Sequence, residues 1–127
     1  MKLEHILLVE DDLAIQTVAR MALEMVGGFK VRVCGSGAEG LDAAQSGPQL
    51  ILLDVMMPGM DGPTVLQRLR GSPSTQHIPV IFMTAKCSAG EVDQLRKLGA
   101  LDVIAKPFDP MTLSAAVSEI WDRQGGS

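Results

Sequence analysis

"ILLDVMMPGMDG", residues 51–62, is an apolar run long enough only for one strand, and it ends on a single carboxylate, Asp54, before Pro58 and Gly59 break the chain. Uninterrupted apolar residues with no alternation are what a strand covered on both faces requires. Four further runs have strand character: "HILLVE" (5–10), "KVRVC" (30–34), "PVIFMT" (79–84) and "LDVIA" (101–105). The segments between them carry helix punctuation. In 13–26, Ile15, Val18, Ala22 and Met25 repeat at helical spacing against Gln16, Arg20 and Glu24, which predicts one amphipathic helix stopped by Gly27 and Gly28. Ser36 with Glu39, and Ser88 with Glu91, have capping-box spacing. The first of these precedes Leu41 and Ala44; the second precedes an apolar face of Val92, Leu95 and Leu98, with Gly99 as the C-terminal cap. "GPTVLQRLR" fits a helix between Asp61 and Gly71. Asp109 as N-cap and Pro110 in the first turn predict a last helix that buries Leu113, Val117, Ile120 and Trp121.

Strands and helices in strict alternation require crossover connections, and hence parallel pairing. The expected fold is α/β: one doubly wound (βα)5 sandwich around a five-stranded parallel sheet. At 127 residues, 46% hydrophobic and 20% charged, one core is expected. The domain is assigned to residues 1–123, with 124–127 as a flexible tail.

Composition excludes several functions. The net charge of −4 and the lack of a basic run argue against direct nucleic-acid binding. No apolar stretch approaches the roughly 18–20 residues of a membrane span, and the acidic start does not resemble a secretory signal, so a cytoplasmic location is expected. Cys34 and Cys87 have no ligand spacing and read as free thiols; His5 and His77 receive no role.

In an open parallel sheet, ligands bind outside the carboxyl ends of the strands. Glu10, Asp11 and Asp12 follow strand one, Asp54 ends strand three, Thr84 ends strand four and Lys106 follows strand five. Each alone is explained by capping, β propensity or surface charge. Together they gather acids that repel unless a cation joins them. All-oxygen donors select a hard ion, Mg2+ (or Mn2+), with room left for phosphate oxygens. Lys106 and Thr84 can hold a phosphoryl group, and Asp54 can attack phosphorus to form an acyl phosphate.

The stretches "ILLVEDD" (6–12), "LLDVMMPGMDG" (52–62), "PVIFMTA" (79–85) and "DVIAKPF" (102–108) resemble the CheY-like receiver domain of two-component response regulators, as do the 43 residues from Asp11 to Asp54, the 30 on to Thr84 and the 22 on to Lys106. The resemblance implies a flavodoxin-like sheet of order 2-1-3-4-5, an order carried over from that family and not read from the residues. It further implies Asp54 as phosphoacceptor, Asp11 as a direct Mg2+ ligand, Glu10 as a water-mediated one and the Met56 carbonyl as another. Thr84 and Lys106 would hold the phosphoryl oxygens, and the Lys106–Pro107 bond would be cis. With three acids in a row, register decides which two matter; the 43-residue gap favours Glu10 and Asp11. The implied partners are a sensor histidine kinase or histidine phosphotransfer protein and a downstream target or effector domain. The implied output is a switched surface formed by the fourth helix, fifth strand and fifth helix. Such a chain catalyses only its own phosphorylation and dephosphorylation. Val103 stands where relatives often carry an aromatic switch residue, so output is expected to rely on residues 85–89 and the fourth helix. Met56 and Lys86 flank the expected path of attacking water.

The alternatives are a hydrolase of haloacid-dehalogenase type, a flavodoxin-like cofactor binder and an inactive receiver-like interaction module. The first needs an acid where Met56 stands, the second needs aromatic stacking residues, and the third requires loss of an acid, Thr84 or Lys106.

Overall fold

The computed structural model describes residues 2–124. The strands are β1 (His5–Val9), β2 (Lys30–Cys34), β3 (Leu50–Asp54), β4 (Val80–Thr84) and β5 (Asp102–Ala105). The helices are α1 (Leu13–Met21), α2 (Gly37–Ala44), α3 (Gly62–Arg70), α4 (Ala89–Lys97) and α5 (Leu113–Arg123). All strand pairs are parallel, in the order β2-β1-β3-β4-β5. Every residue of β3 and β4 is buried, as two-sided coverage demands.

Alternate strand residues divide the core into two layers. Ile6, Leu8, Leu50, Leu52, Ile81 and Met83 pack under α1 and α5. Leu7, Val9, Ile51, Leu53, Val80 and Phe82 pack under α2 and α3, with Leu95 of α4 only partly buried at the margin. Parallel register brings all the strands' carboxyl ends to one edge, so Glu10, Asp54, Thr84 and Lys106 converge there from four separate segments.

Three expectations need correction. The first helix is not uniform: α1 gives way to a π-helical turn over Ala22–Val26. Gly27 N–H reaches back five residues to the Ala22 carbonyl (3.3 Å), which also accepts the Ser114 hydroxyl of α5 (3.0 Å). The buried face is Ala19, Ala22 and Leu23, while Val18 and Met25 of the expected apolar stripe are exposed. The last helix begins at Leu113, not at Pro110. Asp109 closes a turn by accepting the Met111 N–H (2.8 Å), and the four residues it initiates precede the helix rather than capping it. The four expected core residues of α5 are buried. Finally, α4 has no buried residue, and Leu98 is exposed, so its apolar face is much weaker than its spacing suggests.

Both predicted capping serines accept the expected N–H, from Glu39 (3.2 Å) and Glu91 (3.3 Å). Gly99 follows α4 with φ +112, a conformation that favours glycine. Residues 125–127 of the expected tail lie outside the described residues. No helix among the described residues is long and apolar enough to cross a membrane.

Charge adds to the packing of Leu95 in holding α4. Asp102 of β5, buried, accepts Arg96 of α4 (2.6 Å), Arg123 of α5 (3.1 Å) and the Val103 N–H (2.8 Å). Burial pushes this carboxyl up, but the Arg96 and Val103 donors with Arg123 outweigh it and hold it below the usual carboxylate range. A depressed folded value means that the contribution to stability is complete above the unfolded value and is lost as pH falls through the folded one. Asp102→Asn is expected to cost about 1–2 kcal/mol at pH 7, both arginines being half exposed, and less at pH 3. Urea denaturation at the two pH values checks this; an equal cost at both would contradict it.

Candidate functional site

The sheet's carboxyl edge opens into a cleft of about 280 Å3 lined by Glu10, Asp11, Asp12, Ile15, Asp54, Met56, Thr84, Ala85 and Lys106. Glu10, Asp54 and Thr84 are buried, while Asp11 is exposed. One carboxylate oxygen from each of Glu10, Asp11 and Asp54 can be chosen so that all three lie within 4.8 Å of one another. Asp12 is excluded from that trio because it caps α1, accepting the Ile15 N–H (3.0 Å). Of the three consecutive acids, Glu10 and Asp11 are therefore the two grouped with Asp54.

Lys106 spans the acids. Its Nζ donates to Glu10 Oε1 (2.5 Å) and to Asp54 Oδ1 (3.0 Å). Burial lowers the ammonium's pKa, but the two carboxylates outweigh burial and raise it, so the group stays charged. For Glu10, burial dominates and raises the carboxyl above its ordinary value despite the Lys106 bond. One cation for three clustered carboxylates leaves negative charge in excess, and the donor set consists of hard oxygens. These residues therefore fit a divalent hard cation.

Asp54 Oδ1 also accepts the Met56 N–H (3.3 Å), which turns the chain just after β3. Close approach of α3 is possible because residue 62 is glycine: a Cβ there would overlap the Asp54 carbonyl oxygen and lie 2.9 Å from Phe82 Cε1. Thr84 Oγ1 accepts the Lys86 N–H (3.0 Å), and the Thr84 carbonyl accepts the Lys106 N–H (2.9 Å), so the hydroxyl and the ammonium share one scaffold. The Lys106–Pro107 peptide bond is cis. Cys34 is buried and Cys87 exposed, both free.

Two features were not singled out from the sequence. Gln16, read there only as part of a polar helix face, turns its side-chain amide onto the Glu10 carbonyl (2.6 Å). Ala14, Ile15, Val18, Ala85, Pro107 and Phe108 form an apolar shelf beside Lys106, where Ile15 and Val18 were expected to be core. Their helical spacing is the same in either role, so the sequence carries no signal that separates them.

Comparison with known proteins agrees with the fold. The family model for the response regulator receiver domain matches residues 6–118. The transcriptional regulatory protein YkoG of Bacillus subtilis is 43% identical over 114 residues, covering 89% of this chain and 49% of that protein. Response regulator Rre1 of Synechocystis is 37% identical over 123 residues, covering 96% of this chain and 53% of that protein. The chain thus spans about half the length of these relatives. Among solved structures, chemotaxis protein CheY4 of Vibrio cholerae superposes with TM-score 0.85 at 26% identity, covering 94% of this chain and 99% of that one. A response regulator from Desulfuromonas acetoxidans gives TM-score 0.82 at 32% identity, covering 94% and 98%.

Proposed function

This chain belongs to the response regulator receiver family of two-component systems, and from that premise we propose that Asp54 accepts a phosphoryl group from a histidine of a sensor kinase or phosphotransfer protein. The observation that carries this reading is the asymmetric use of the Asp54 carboxylate. Lys106 Nζ and the Met56 N–H both bind Oδ1, and among the described residues no hydrogen bond engages Oδ2. One oxygen is held and oriented while the other faces the cleft with its lone pairs uncommitted. Attack by that oxygen forms the O–P bond of an acyl phosphate as the donor's N–P bond breaks, the electron pair leaving with the imidazole nitrogen.

Glu10, Asp11, Asp54 and the Met56 carbonyl would hold Mg2+ (or Mn2+). Bound there, the ion supplies neutralisation of the charge developing on the phosphoryl oxygens. The chain's own contributions are position and charge. Lys106 offers a point charge to a phosphoryl oxygen, and the Thr84 hydroxyl, already accepting from Lys86, has its proton free to donate. Autodephosphorylation would proceed in the same cleft, with Met56 and Lys86 at its rim. Residues 1–123 form the receiver unit, and the output is a change at the α4-β5-α5 surface felt by a downstream target or effector domain.

The test is incubation with acetyl phosphate followed by intact mass. The wild type is expected to gain one phosphoryl group with Mg2+ and none with excess EDTA; no gain, or a gain indifferent to the chelator, would overturn the reading. A second outcome concerns output. Val103 is only partly buried and α4 is weakly packed, so beryllofluoride with Mg2+ is expected to shift the amide resonances of residues 85–97. Resonances that stay in place there would refute this route.

A further inference from the structure

We infer that Gln16 is a positioning residue for the acidic edge, a strut from α1 that holds the β1–α1 turn in the shape the carboxylates need. This inference rests on the metal-dependent reading above and deepens it.

Glu10 lies just past the end of β1, where the ladder no longer fixes the backbone. Its N–H is still held, donating to the Cys34 carbonyl of β2 (3.0 Å). Its carboxylate is committed to Lys106 through Oε1 and to the Asp12 N–H through Oε2 (3.1 Å). The remaining polar group is the main-chain carbonyl, and Gln16 Nε2 donates to it at 2.6 Å. Glu10 is 1% exposed, so without that donor its carbonyl would be left without a partner in a place water barely reaches.

The consequence passes to Asp11. The Glu10 carbonyl and the Asp11 N–H belong to one rigid peptide plane, so fixing the carbonyl oxygen fixes the orientation from which Asp11 departs. Asp11 is exposed and no hydrogen bond of its carboxylate is found among the described residues, so its placement within 4.8 Å of Glu10 and Asp54 comes from backbone geometry. Gln16 is itself anchored at its backbone, because its own N–H donates to the Asp12 carbonyl (2.9 Å). The strut therefore closes a loop from Glu10 through Asp12 and back. Gln16 touches no reacting atom; it acts through the position of Asp11 and Glu10.

Outer groups that orient metal ligands typically change affinity about 10- to 100-fold when removed. The experiment uses the full chain and Mn2+ as probe, with free ion followed by electron paramagnetic resonance. Gln16→Met keeps length without a donor and is expected to weaken Mn2+ binding about tenfold. Gln16→Arg restores a donor but adds positive charge, which opposes cation binding; affinity within about threefold of wild type would show that the donor matters more than the charge. In acetyl phosphate labelling, Gln16→Met should shift the half-saturating Mg2+ concentration by the same factor and leave the rate at saturating Mg2+ unchanged, a split that general destabilisation does not produce. Unchanged Mn2+ affinity in Gln16→Met, or equal weakening in both variants, overturns the inference, as does failure of the wild type to bind Mn2+. If the wild type binds Mn2+ with the expected Gln16 dependence but is never labelled, the phosphorylation reading fails and the strut stands.

Discussion

Asp54→Ala is expected to remove phosphorylation by acetyl phosphate entirely, with the intact mass unchanged where the wild type gains one phosphoryl group. Four carboxylates line the cleft, of which Asp12 caps α1, and the environments of the other three differ. Glu10 is almost fully buried, with its two oxygens bonded to Lys106 and the Asp12 N–H, so neither is available to attack. Asp11 is exposed, and among the described residues no donor bonds its carboxylate to hold it at a fixed angle to an incoming phosphorus. Among the described residues of the cleft, Asp54 combines a rigid base, at the end of the fully buried β3, with an oxygen that no hydrogen bond engages. Orientation of that kind accounts for a large share of rate enhancement in displacement at phosphorus. A gain of one phosphoryl group in both wild type and Asp54→Ala would move the site elsewhere.

Lys106→Met carries the second large expectation, and it has two independent readouts. Removing a preorganised charge aimed at the transferring group costs about 100- to 1,000-fold in rate, so labelling at saturating Mg2+ should slow by that factor. At the same time Glu10 and Asp54 lose the cation that spans them, leaving two buried carboxylates in mutual repulsion. Breaking a buried pair from one side costs about 3–5 kcal/mol. Stability in the absence of divalent ions should fall accordingly and should recover with Mg2+ more than the wild type does, because the ion takes over the neutralisation. Chemical denaturation with and without Mg2+ measures this. A variant labelled within fivefold of the wild-type rate, or one that gains no more from Mg2+, would remove Lys106 from the proposed role.

Much of the architecture was legible in local pattern. Fully apolar strands implied two-sided cover, crossover-length connections implied parallel pairing, and the observed order β2-β1-β3-β4-β5 matches the order implied by resemblance. Where local pattern misled, the competing interaction was distant in sequence. Of Ile15, Val18, Ala22 and Met25, only Ala22 is buried, and its carbonyl takes both the Gly27 N–H and the hydroxyl of Ser114, 92 residues away, while the core face runs through Ala19, Ala22 and Leu23. Asp109 and Pro110 have the chemistry of a helix start, but the backbone spends it on a turn before Leu113.

The sequence by itself determined that acids, a hydroxyl and an ammonium would stand at the carboxyl ends of strands, because strand ends are set by where apolar runs stop. Residue type left open which of three consecutive acids turn towards Asp54, and only the spacing shared with the family favoured Glu10 and Asp11. Only the tertiary structure decided that Asp12 spends its carboxylate on capping α1 while Glu10 and Asp11 turn towards Asp54. Nor could the sequence show that Lys106, 96 residues from Glu10 and 52 from Asp54, bridges both, or that Gln16 braces the turn between them. The physical reason is common to these cases: residue type specifies what a side chain can donate or accept, whereas the partner it finds is chosen by packing that joins segments far apart in the chain.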